Sequence, residues 1–423
     1  MRTKAPLLLL AAALLSSPLH ARDTQDAAQD DASADAAAAS SVPLDEIRRF
    51  VSVYNAVRQA YVEPVSDEAL MHAAVKGLLL DLDPHSIYFD KDDAEAFREE
   101  TSGAYGGIGI EVQPQPDGTI LVVAPIDGTP AARAGLKSGD VIVAVDGKPL
   151  EAGGDGRGPL RGEPGTPVVL TIAREGRAAP FDVTVTRETI RVASVRSRML
   201  EPGYGYLRIA AFQADTAADF ARELASLQKQ SGGLKGLVLD LRSNPGGLLV
   251  SAVQIADDLL EAGGIVSTRG RIALSDTSFN ATPGDLLHGA PLVVLVDAGS
   301  ASAAEVLAGA LKDNGRARIV GSRTFGKGSV QTLLPLDNGD SVKLTTARYY
   351  TPDGTSIQAV GIVPDVVLQP GSDAGNGAPR RVSEAELPGH LQGEAEAGVG
   401  DGEVLEGEAP VRAALNVLKS LPR

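Results

Sequence analysis

The stretch that decides the fold runs from a short apolar segment into a helix: Pro291-Leu292-Val293-Val294-Leu295-Val296-Asp297-Ala298-Gly299-Ser300-Ala301-Ser302-Ala303-Ala304-Glu305. The apolar run Pro291 to Val296 has the length and composition of a buried strand. Small residues follow it, and a helical spacing then extends from Ala303 to Lys312 and ends at Asn314-Gly315. A strand that leads directly into a helix predicts an α/β unit with Ser302 at the helix N-terminus.

Ser302 has two interpretations. In the first, Ser302-Ala303-Ala304-Glu305 is a capping box, in which the hydroxyl accepts a backbone N–H and Glu305 reaches back to the cap residue. In the second, the hydroxyl is a nucleophile, and free N–H groups at the start of the helix stabilise an oxyanion. Both stay open on the local sequence.

Lys327, in Gly326-Lys327-Gly328, supplies a candidate base for such a nucleophile, with Gln331 four residues further on. A lysine amine can act as a base when burial or a nearby positive charge lowers its pKa from about 10.4 towards about 7 to 8. A Ser–Lys pair therefore predicts a dry, apolar pocket around the amine.

The same loop has the spacing of a phosphate-binding loop, G-x-x-x-x-G-K, from Gly321 to Lys327, after a strand-like segment, Ala317 to Val320. The motif is incomplete, because Gly328 stands where a Ser or Thr would bind magnesium. Val330 to Leu336 also has the composition of a strand, whereas the motif requires a helix. The loop therefore favours a base over nucleotide binding.

A third segment, Gly236 to Arg242, is a continuous apolar run that ends in charged residues, as expected of a buried parallel strand. The tight turn Ser243-Asn244-Pro245-Gly246-Gly247 follows it. An N–H of Gly246 or Gly247 could supply a second oxyanion donor beside the N–H of Ala303. A plain strand-to-helix turn would have the same composition.

Three motifs resemble those of the carboxyl-terminal processing peptidases, also called tail-specific proteases: D-L-R-S-N-P-G-G at Asp240 to Gly247, A-G-S-A-S-A-A-E at Ala298 to Glu305, and T-F-G-K-G-S-V-Q at Thr324 to Gln331. Four further stretches agree with the family: Leu82 to Ser86, Gly106 to Val112, Ala134 to Asp140 and Leu160 to Pro167. The family consists of serine proteases with a Ser–Lys dyad and an inserted PDZ domain. The resemblance implies Ser302 as nucleophile, Lys327 as general base and Gln331 as the residue that orients the lysine. It also implies an oxyanion hole at Ala303 and at Gly246 or Gly247.

The resemblance places the PDZ domain where short strand patterns and Gly/Pro turns fill Thr101 to about Glu188. Such a domain binds a peptide C-terminus by adding it as a strand, with the carboxylate held by loop N–H groups. That loop would fall at Gly107-Ile108-Gly109-Ile110. Where the family has a helix beside the groove, this chain has the glycine-rich Leu150 to Pro159, so a short or mobile wall is expected. Whether the domain binds tails or gates the active site stays open.

Composition divides the chain into segments. Residues 1–21 have the basic start, apolar run and small cleavage-site residues of a secretory signal peptide, and 22–42 form an Ala/Asp-rich flexible leader. Apolar residues at helical spacing predict an N-terminal helical region over 43–100.

Residues 101–188 form the predicted mainly-β PDZ domain. Residues 189–370 form the predicted protease core, where alternating strands and helices predict an α/β fold with a largely parallel sheet. Residues 371–423 form a Gly/Glu-rich tail, expected to be disordered from Gly371 to Pro410 and to end in a short helix, Val411 to Leu418.

Charge and composition limit the partners. The net charge of −16 argues against nucleic acid, and a chain without cysteine has no disulfide and no lipoprotein anchor. We expect a periplasmic protein, either free or membrane-associated. The resemblance implies protein substrates bound by their C-terminus, an adaptor protein, and a homo-oligomer formed through the N-terminal helices.

Three alternatives stay open on the sequence. A catalytically silent, PDZ-bearing scaffold would keep the fold without activity. Chemistry like that of acyl-CoA hydratases on a related spiral core would lack the Ser–Lys pair. His288, in a loop, is the candidate base for a Ser–His arrangement. No cofactor or metal is predicted, because no cluster of His, Asp and Glu has the spacing of metal ligands.

Overall fold

The structure is a computed structural model that describes residues 43–150, 158–272, 275–368, 382–395 and 402–422. The chain divides into two units, Met1–Ala74 and Val75–Arg423. The signal peptide and the leader lie outside the described residues. In the part that is described, no helix has both the length and the apolar character needed to cross a membrane.

The predicted N-terminal helical region contains α1 (Leu44–Ala60) and α2 (Asp67–Leu80). The division between the two units falls within α2. Helix α1 has no buried residue and exposes an apolar stripe: Leu44, Ile47, Phe50, Val51, Val53 and Val57. After the short strand β1 (Ile87–Phe89), α3 (Lys91–Ser102) begins at Asp90, whose side chain accepts the N–H of Asp93 at 2.9 Å.

The domain predicted at 101–188 is mainly β and has its own apolar core. Its elements are β2 (Ala104–Gly107), β3 (Ile110–Pro114), β4 (Ile120–Pro125), α4 (Pro130–Arg133), β5 (Val141–Val145), β6 (Lys148–Pro149), β7 (Pro167–Ala173), β8 (Phe181–Thr186) and β9 (Glu188–Arg191). An antiparallel sheet has the order β3-β4-β5-β7-β8, with β6 on β5, and β2 pairs separately with β9. Ile120, Ile142 and Leu170 are fully buried at its centre.

The core of the chain alternates strands with helices over its first part, as predicted. Its elements are β10 (Val195–Glu201), β11 (Tyr204–Ile209), α5 (Thr216–Ser231), β12 (Gly236–Asp240), α6 (Leu249–Asp257), β13 (Gly264–Gly270), β14 (Thr277–Asn280), β15 (Leu292–Val296), α7 (Ala303–Asp313), β16 (Arg318–Gly321), β17 (Ser329–Pro335), β18 (Ser341–Tyr350), β19 (Val366–Val367) and, near the C-terminus, α8 (Ala409–Ser420).

Two sheets build this core, and the prediction of a largely parallel sheet describes only one of them. In the order β10-β11-β12-β15-β16-β19, every pair from β11 onward is parallel. The second sheet, β1-β18-β13-β14 with β17 on β18, is antiparallel. Residues 336–340 join β17 to β18. The strands β13 and β14 have no strong strand pattern and were not predicted.

The parallel sheet is buried on both faces, which explains its continuous apolar runs. Along β12, Leu237 and Leu239 pack on one side, with helices α5, α6 and α7, whereas Val238 packs on the other side. Helix α8 covers that second side through Val411, Ala414, Leu415 and Leu418. The terminal helix predicted at Val411 to Leu418 therefore docks on the core of its own chain.

The prediction of a disordered Gly371 to Pro410 was wrong for the parts that the structure describes. The N–H of Glu384 donates to the carbonyl oxygen of Phe325 at 3.0 Å, and the N–H of Leu405 donates to Asp297 Oδ2 at 3.1 Å. Polar, glycine-rich composition suggested a solvated chain, but these residues satisfy buried groups of the core. Residues 369–381 and 396–401 lie outside the described ranges.

Candidate active site

Three loops meet at the carboxyl ends of β12, β15 and β16, because neighbouring parallel strands end at the same edge of a sheet. Asp297, fully buried, joins two of them: its Oδ1 accepts the N–H of Ser243 at 2.8 Å and of Gly299 at 2.9 Å. The N–H of Phe325, in the third loop, donates to the carbonyl oxygen of Ser300 at 3.0 Å. Main-chain contacts therefore fix the glycine turn, the serine turn and the lysine loop against one another.

Ser302 has a backbone conformation that L-residues rarely adopt, with φ 53° and ψ −116°. Such strain persists only where the surroundings hold it, and it is common at functional sites. Ser302 and Glu305 have the capping-box arrangement, with the N–H of Ser302 donating to Glu305 Oε2 at 2.7 Å. The N–H of Glu305 donates to the carbonyl oxygen of Ser302 at 2.8 Å, so the hydroxyl is not required to cap it.

Glu305 is the centre of the site rather than a surface cap. Its carboxylate is fully buried and accepts hydrogen bonds from the hydroxyl of Thr324 at 2.6 Å and from the N–H groups of Gly326 at 2.7 Å and Lys327 at 2.9 Å. Burial raises the pKa of Glu305 to about 7, against the opposing effect of these hydrogen bonds. Glu305 Oε2 accepts the N–H of both Ser302 and Lys327, so a single oxygen joins their main chains.

Lys327 is partly buried, and the pKa of its amine is lowered. Burial is the main cause that lowers its pKa from 10.5, and the positive charge of Lys343 lowers it further. The charges of Glu384, Glu305 and Asp83 act in the opposite direction. Across the described ranges, no carboxylate forms a salt bridge with the Lys327 ammonium, which would otherwise hold it protonated.

Two of the predicted oxyanion residues, Gly246 and Ala303, lie beside Ser302. A Cβ added to Gly246 would lie 2.8 Å from the Cβ of Ser302 and 3.1 Å from the nitrogen of Ala303, so the two segments are in contact. The N–H of Gly246 donates to Asn244 Oδ1 at 2.8 Å. Within the described chain, the N–H groups of Gly247 and Ala303 make no main-chain hydrogen bond. Of the two glycines, Gly247 therefore has the N–H group that is available to bind an oxyanion.

Gln331 lies on β17, and its amide faces two hydroxyl groups. Nε2 donates to Ser329 Oγ at 2.9 Å and to Thr345 Oγ1 at 3.4 Å, and Thr345 in turn donates to Asp83. No hydrogen bond joins Gln331 to Lys327 in the described structure, so the lysine-orienting role stays a prediction.

The predicted peptide groove lies in the domain of the antiparallel sheet. Ile108, Gly109 and Ile110 line a cavity of about 670 Å³, together with residues of α3 and with Leu160. Gly107 ends β2 and does not line it. Gly109 has φ 75°, and an added Cβ would lie 2.4 Å from the Cβ of Thr129. Residues 151–157 of the glycine-rich segment lie outside the described ranges, and a short 3-10 turn, Gly158–Leu160, follows them.

Comparison with known proteins decides the family. Residues 203–368 match peptidase family S41, residues 106–185 match a PDZ domain, and residues 8–93 match the N-terminal domain of the activating protease CtpB. A carboxy-terminal-processing protease of Bartonella bacilliformis is 44% identical over 362 residues, which cover 84% of this chain and 83% of that relative. The chain belongs to the carboxy-terminal processing proteases.

Other carboxy-terminal processing proteases resemble the chain at lower identity. CtpA of Bacillus subtilis is 37% identical over 317 residues, or 74% of this chain and 67% of that relative. Among solved structures, a photosystem II D1 C-terminal processing protease is 33% identical, covers 78% of this chain and 94% of its own, and has a TM-score of 0.45.

The carboxy-terminal processing protease fold also removes the phosphate-loop interpretation of Gly321 to Lys327. The loop continues into the strand β17, whereas a phosphate-binding loop leads into a helix whose N-terminus binds the phosphates. The N–H groups of Gly326 and Lys327 are also taken by Glu305 and so cannot cradle a phosphate.

Sequence reasoning missed two residues beside the lysine loop. His85 and Glu384 are hydrogen-bonded to each other at 2.8 Å, although 299 positions separate them. The sequence does contain a feature that points to His85, because this residue belongs to the Leu82 to Ser86 stretch that resembles the family. No such feature points to Glu384, because it is one of many glutamates in a Gly/Glu-rich tail.

Proposed function

We propose that this protease is an exported serine endopeptidase that processes or degrades proteins from their C-terminal ends, with Ser302 as nucleophile and Lys327 as general base. The observation that carries the proposal is the position of Glu305 Oε2, which accepts the N–H of both residues. Lys327 is partly buried and the pKa of its amine is lowered, which supports the second requirement of a base.

In the proposed reaction, the neutral amine of Lys327 takes the proton of the Ser302 hydroxyl as the oxygen attacks a peptide carbonyl. The N–H groups of Ala303 and Gly247 stabilise the oxyanion of the tetrahedral intermediate, at the start of helix α7. The lysine ammonium then donates its proton to the leaving amine, which leaves an acyl group on Ser302. Water attacks this ester with Lys327 again acting as base, and the acid product leaves.

The substrate class follows from the family and from the groove. A peptide C-terminus that adds as a strand beside β3 would place its carboxylate near the Gly107 to Ile110 loop. The proposal therefore takes protein C-termini as the ligands of this domain, delivered directly or by an adaptor protein.

Export is proposed on the sequence of residues 1–21, which have the pattern of a secretory signal peptide. The mature chain would begin at Arg22 in the periplasm, free or membrane-associated. Mass spectrometry of the secreted protein checks this; an intact Met1 would contradict it.

The test compares cleavage of an unfolded protein substrate by the chain Arg22 to Arg423 and by its Ser302→Ala and Lys327→Ala variants. We expect cleavage by the parent and a loss of at least about 1,000-fold in either variant, because nucleophile and base act as one unit. Ser226→Ala and Lys229→Ala, on the exposed side of α5, are matched controls that should retain activity. Full turnover by Ser302→Ala would disprove the assignment. A parent that binds but never cleaves would favour the silent scaffold.

A further inference from the structure

A segment from the C-terminal tail packs against the lysine loop. Glu384 begins a short 3-10 turn, Glu384–Glu386, and its N–H donates to the carbonyl oxygen of Phe325 at 3.0 Å. The Glu384 residue is fully buried, which is unusual for a carboxylate and requires partners. The contact with Phe325 lies two residues before Lys327.

The Glu384 carboxylate has two side-chain partners. His85 Nε2 lies 2.8 Å from Oε2, and Gln358 Nε2 donates to Oε1 at 2.9 Å. Gln358 Nε2 also donates to the carbonyl oxygen of Leu391 at 2.9 Å, so both contacts to the amide nitrogen come from the tail. Because the nitrogen is fixed in this way, the amide oxygen must face the opposite direction.

That oxygen accepts the N–H of Gly328 at 3.0 Å. The three consecutive N–H groups of Gly326, Lys327 and Gly328 are therefore all held by side chains: the first two by Glu305 and the third by Gln358. Glu305 belongs to the helix of the nucleophile. The second support depends on Glu384 and on the carbonyl oxygen of Leu391, which together orient the amide of Gln358.

Glu384 also contributes charge to the lysine. The charged groups that face Lys327 are Lys343 on β18, Glu305 on α7, Asp83 before β1, and Glu384. His85 faces Glu384 directly. The negative charge of Glu384 favours the protonated amine and so raises the pKa of Lys327, against the larger lowering caused by burial.

We propose that Glu384 is a positioning residue of the protease, which fixes the main chain of Lys327 through Gln358 and Gly328 so that the amine can serve Ser302. The inference rests on the proposed roles of Ser302 and Lys327. It assigns to the tail segment 382–395 a part in catalysis, not only in covering the core.

Two variants separate the hydrogen bonds of Glu384 from its charge. Glu384→Ala removes one of the two acceptors of the Gln358 amide, and we expect kcat to fall about tenfold at unchanged KM, because the main chain of Lys327 is then held less firmly. Glu384→Gln keeps an acceptor of the same shape without the charge. It should restore kcat at alkaline pH and move the acid limb of the pH profile of kcat/KM to lower pH, because the pKa of Lys327 falls.

Glu386→Gln is the matched control, because this exposed carboxylate caps Ser383 in the same turn. It should behave as the parent in kcat, in KM and in the pH profile. If Glu384→Ala does not fold, as judged by its thermal melt, the decision passes to Gln358→Ala, which removes the amide that binds the N–H of Gly328 and leaves Glu384 in place: a fall in kcat at unchanged KM supports the proposal, and the kcat of the parent overturns it.

Amide hydrogen exchange at Gly326 to Gly328 gives a readout that needs no activity. Exchange should be faster in Glu384→Ala than in the parent, with Glu386→Gln unchanged. A folded Glu384→Ala variant with the exchange rates and kcat of the parent would overturn the inference. A parent that cleaves nothing would instead count against the proposed function, and the exchange experiment would still decide the role of Glu384 in holding the loop.

Discussion

At the residue scale, the structural role of Glu305 differs most from the role that its sequence pattern suggested. Its spacing from Ser302 suggested a helix cap, which is a common and modest feature. In the structure it is fully buried and holds the N–H groups of both proposed dyad members. Its ionisation is therefore connected to the stability of the whole site.

The raised pKa of Glu305 predicts a stability that falls with pH. The unfolded carboxyl has a pKa of 4.5, whereas burial raises the folded value to about 7. As pH rises between these values, the unfolded chain loses its proton first, so the free energy of unfolding falls by about 3 kcal/mol. Urea unfolding at pH 5 and pH 7.5 measures this change.

Glu305→Gln removes the titration, and where its amide nitrogen replaces a carboxyl oxygen it cannot accept the N–H groups that this oxygen accepts. We therefore expect it to be about 2 kcal/mol less stable than the parent at pH 5, where both side chains are neutral. The difference should shrink by pH 7.5. Glu111→Gln, at an exposed position, is the control and should follow the parent at both pH values. A difference that grows with pH would show that the carboxylate is ionised at both values and stabilised by its four donors.

The sequence was sufficient to propose Ser302 and Lys327 as a dyad, because both lie in short motifs with a direct chemical meaning, and their roles stay a prediction. It could not predict that Gln331 faces Ser329 and Thr345, since the amide orientation depends on a neighbouring strand. The contact of His85 with Glu384 joins positions 299 residues apart, and no local pattern reports such a pair.

At the scale of elements, apolar runs predicted two of the buried strands well: the runs Gly236 to Arg242 and Pro291 to Val296 contain β12 and β15 and differ from them by at most two residues at either end. A strand with both faces covered is apolar at nearly every position, so a continuous apolar run is a clear signal for such a strand. The strands β13 and β14 were missed, because their polar composition resembles that of loops. The docking of α8 was missed as well, since an amphipathic terminal helix does not specify its partner.

Helix α8 contributes to stability through Leu418, which is nearly fully buried and packs against Gly236 at the start of β12. Leu418→Ala should lower the free energy of unfolding by about 3 kcal/mol, because it removes buried methyl groups and leaves a cavity. Asn416→Ala, on the exposed side of the same helix, should change it by less than about 0.5 kcal/mol. Urea unfolding of both variants measures the effect; equal stabilities would show that α8 does not contribute to the fold in solution.

At the scale of the whole molecule, the net charge opposes association between copies of the chain, whereas the exposed apolar surface favours it. The net charge of −16 favours solubility and separation of copies. Helix α1 nevertheless exposes a stripe of large apolar side chains. Such a stripe is typical of a surface that another polypeptide covers, and the homo-oligomer remains the proposed occupant.

A charge placed on the stripe should therefore dissociate the protein. We expect Phe50→Asp and Val57→Asp to lower the molar mass measured by size exclusion with light scattering, because each would bury a carboxylate in an apolar contact. Ser52→Asp adds the same charge to another exposed position of α1 and should leave the mass unchanged. A parent that already has the mass of one chain would disprove the proposed assembly.

The tail contacts at Asp297 and Phe325 also impose an order in time. A ribosome completes Ser302 and Lys327 well before it adds Glu384 and Leu405, the residues whose main chains bind the serine turn and the lysine loop. A growing chain therefore contains both members of the proposed dyad before it contains the groups that hold their loops in place. The edge of the sheet where the three loops meet can be completed only after Leu405 has been added, so these tail segments set the earliest moment at which the proposed dyad is fixed.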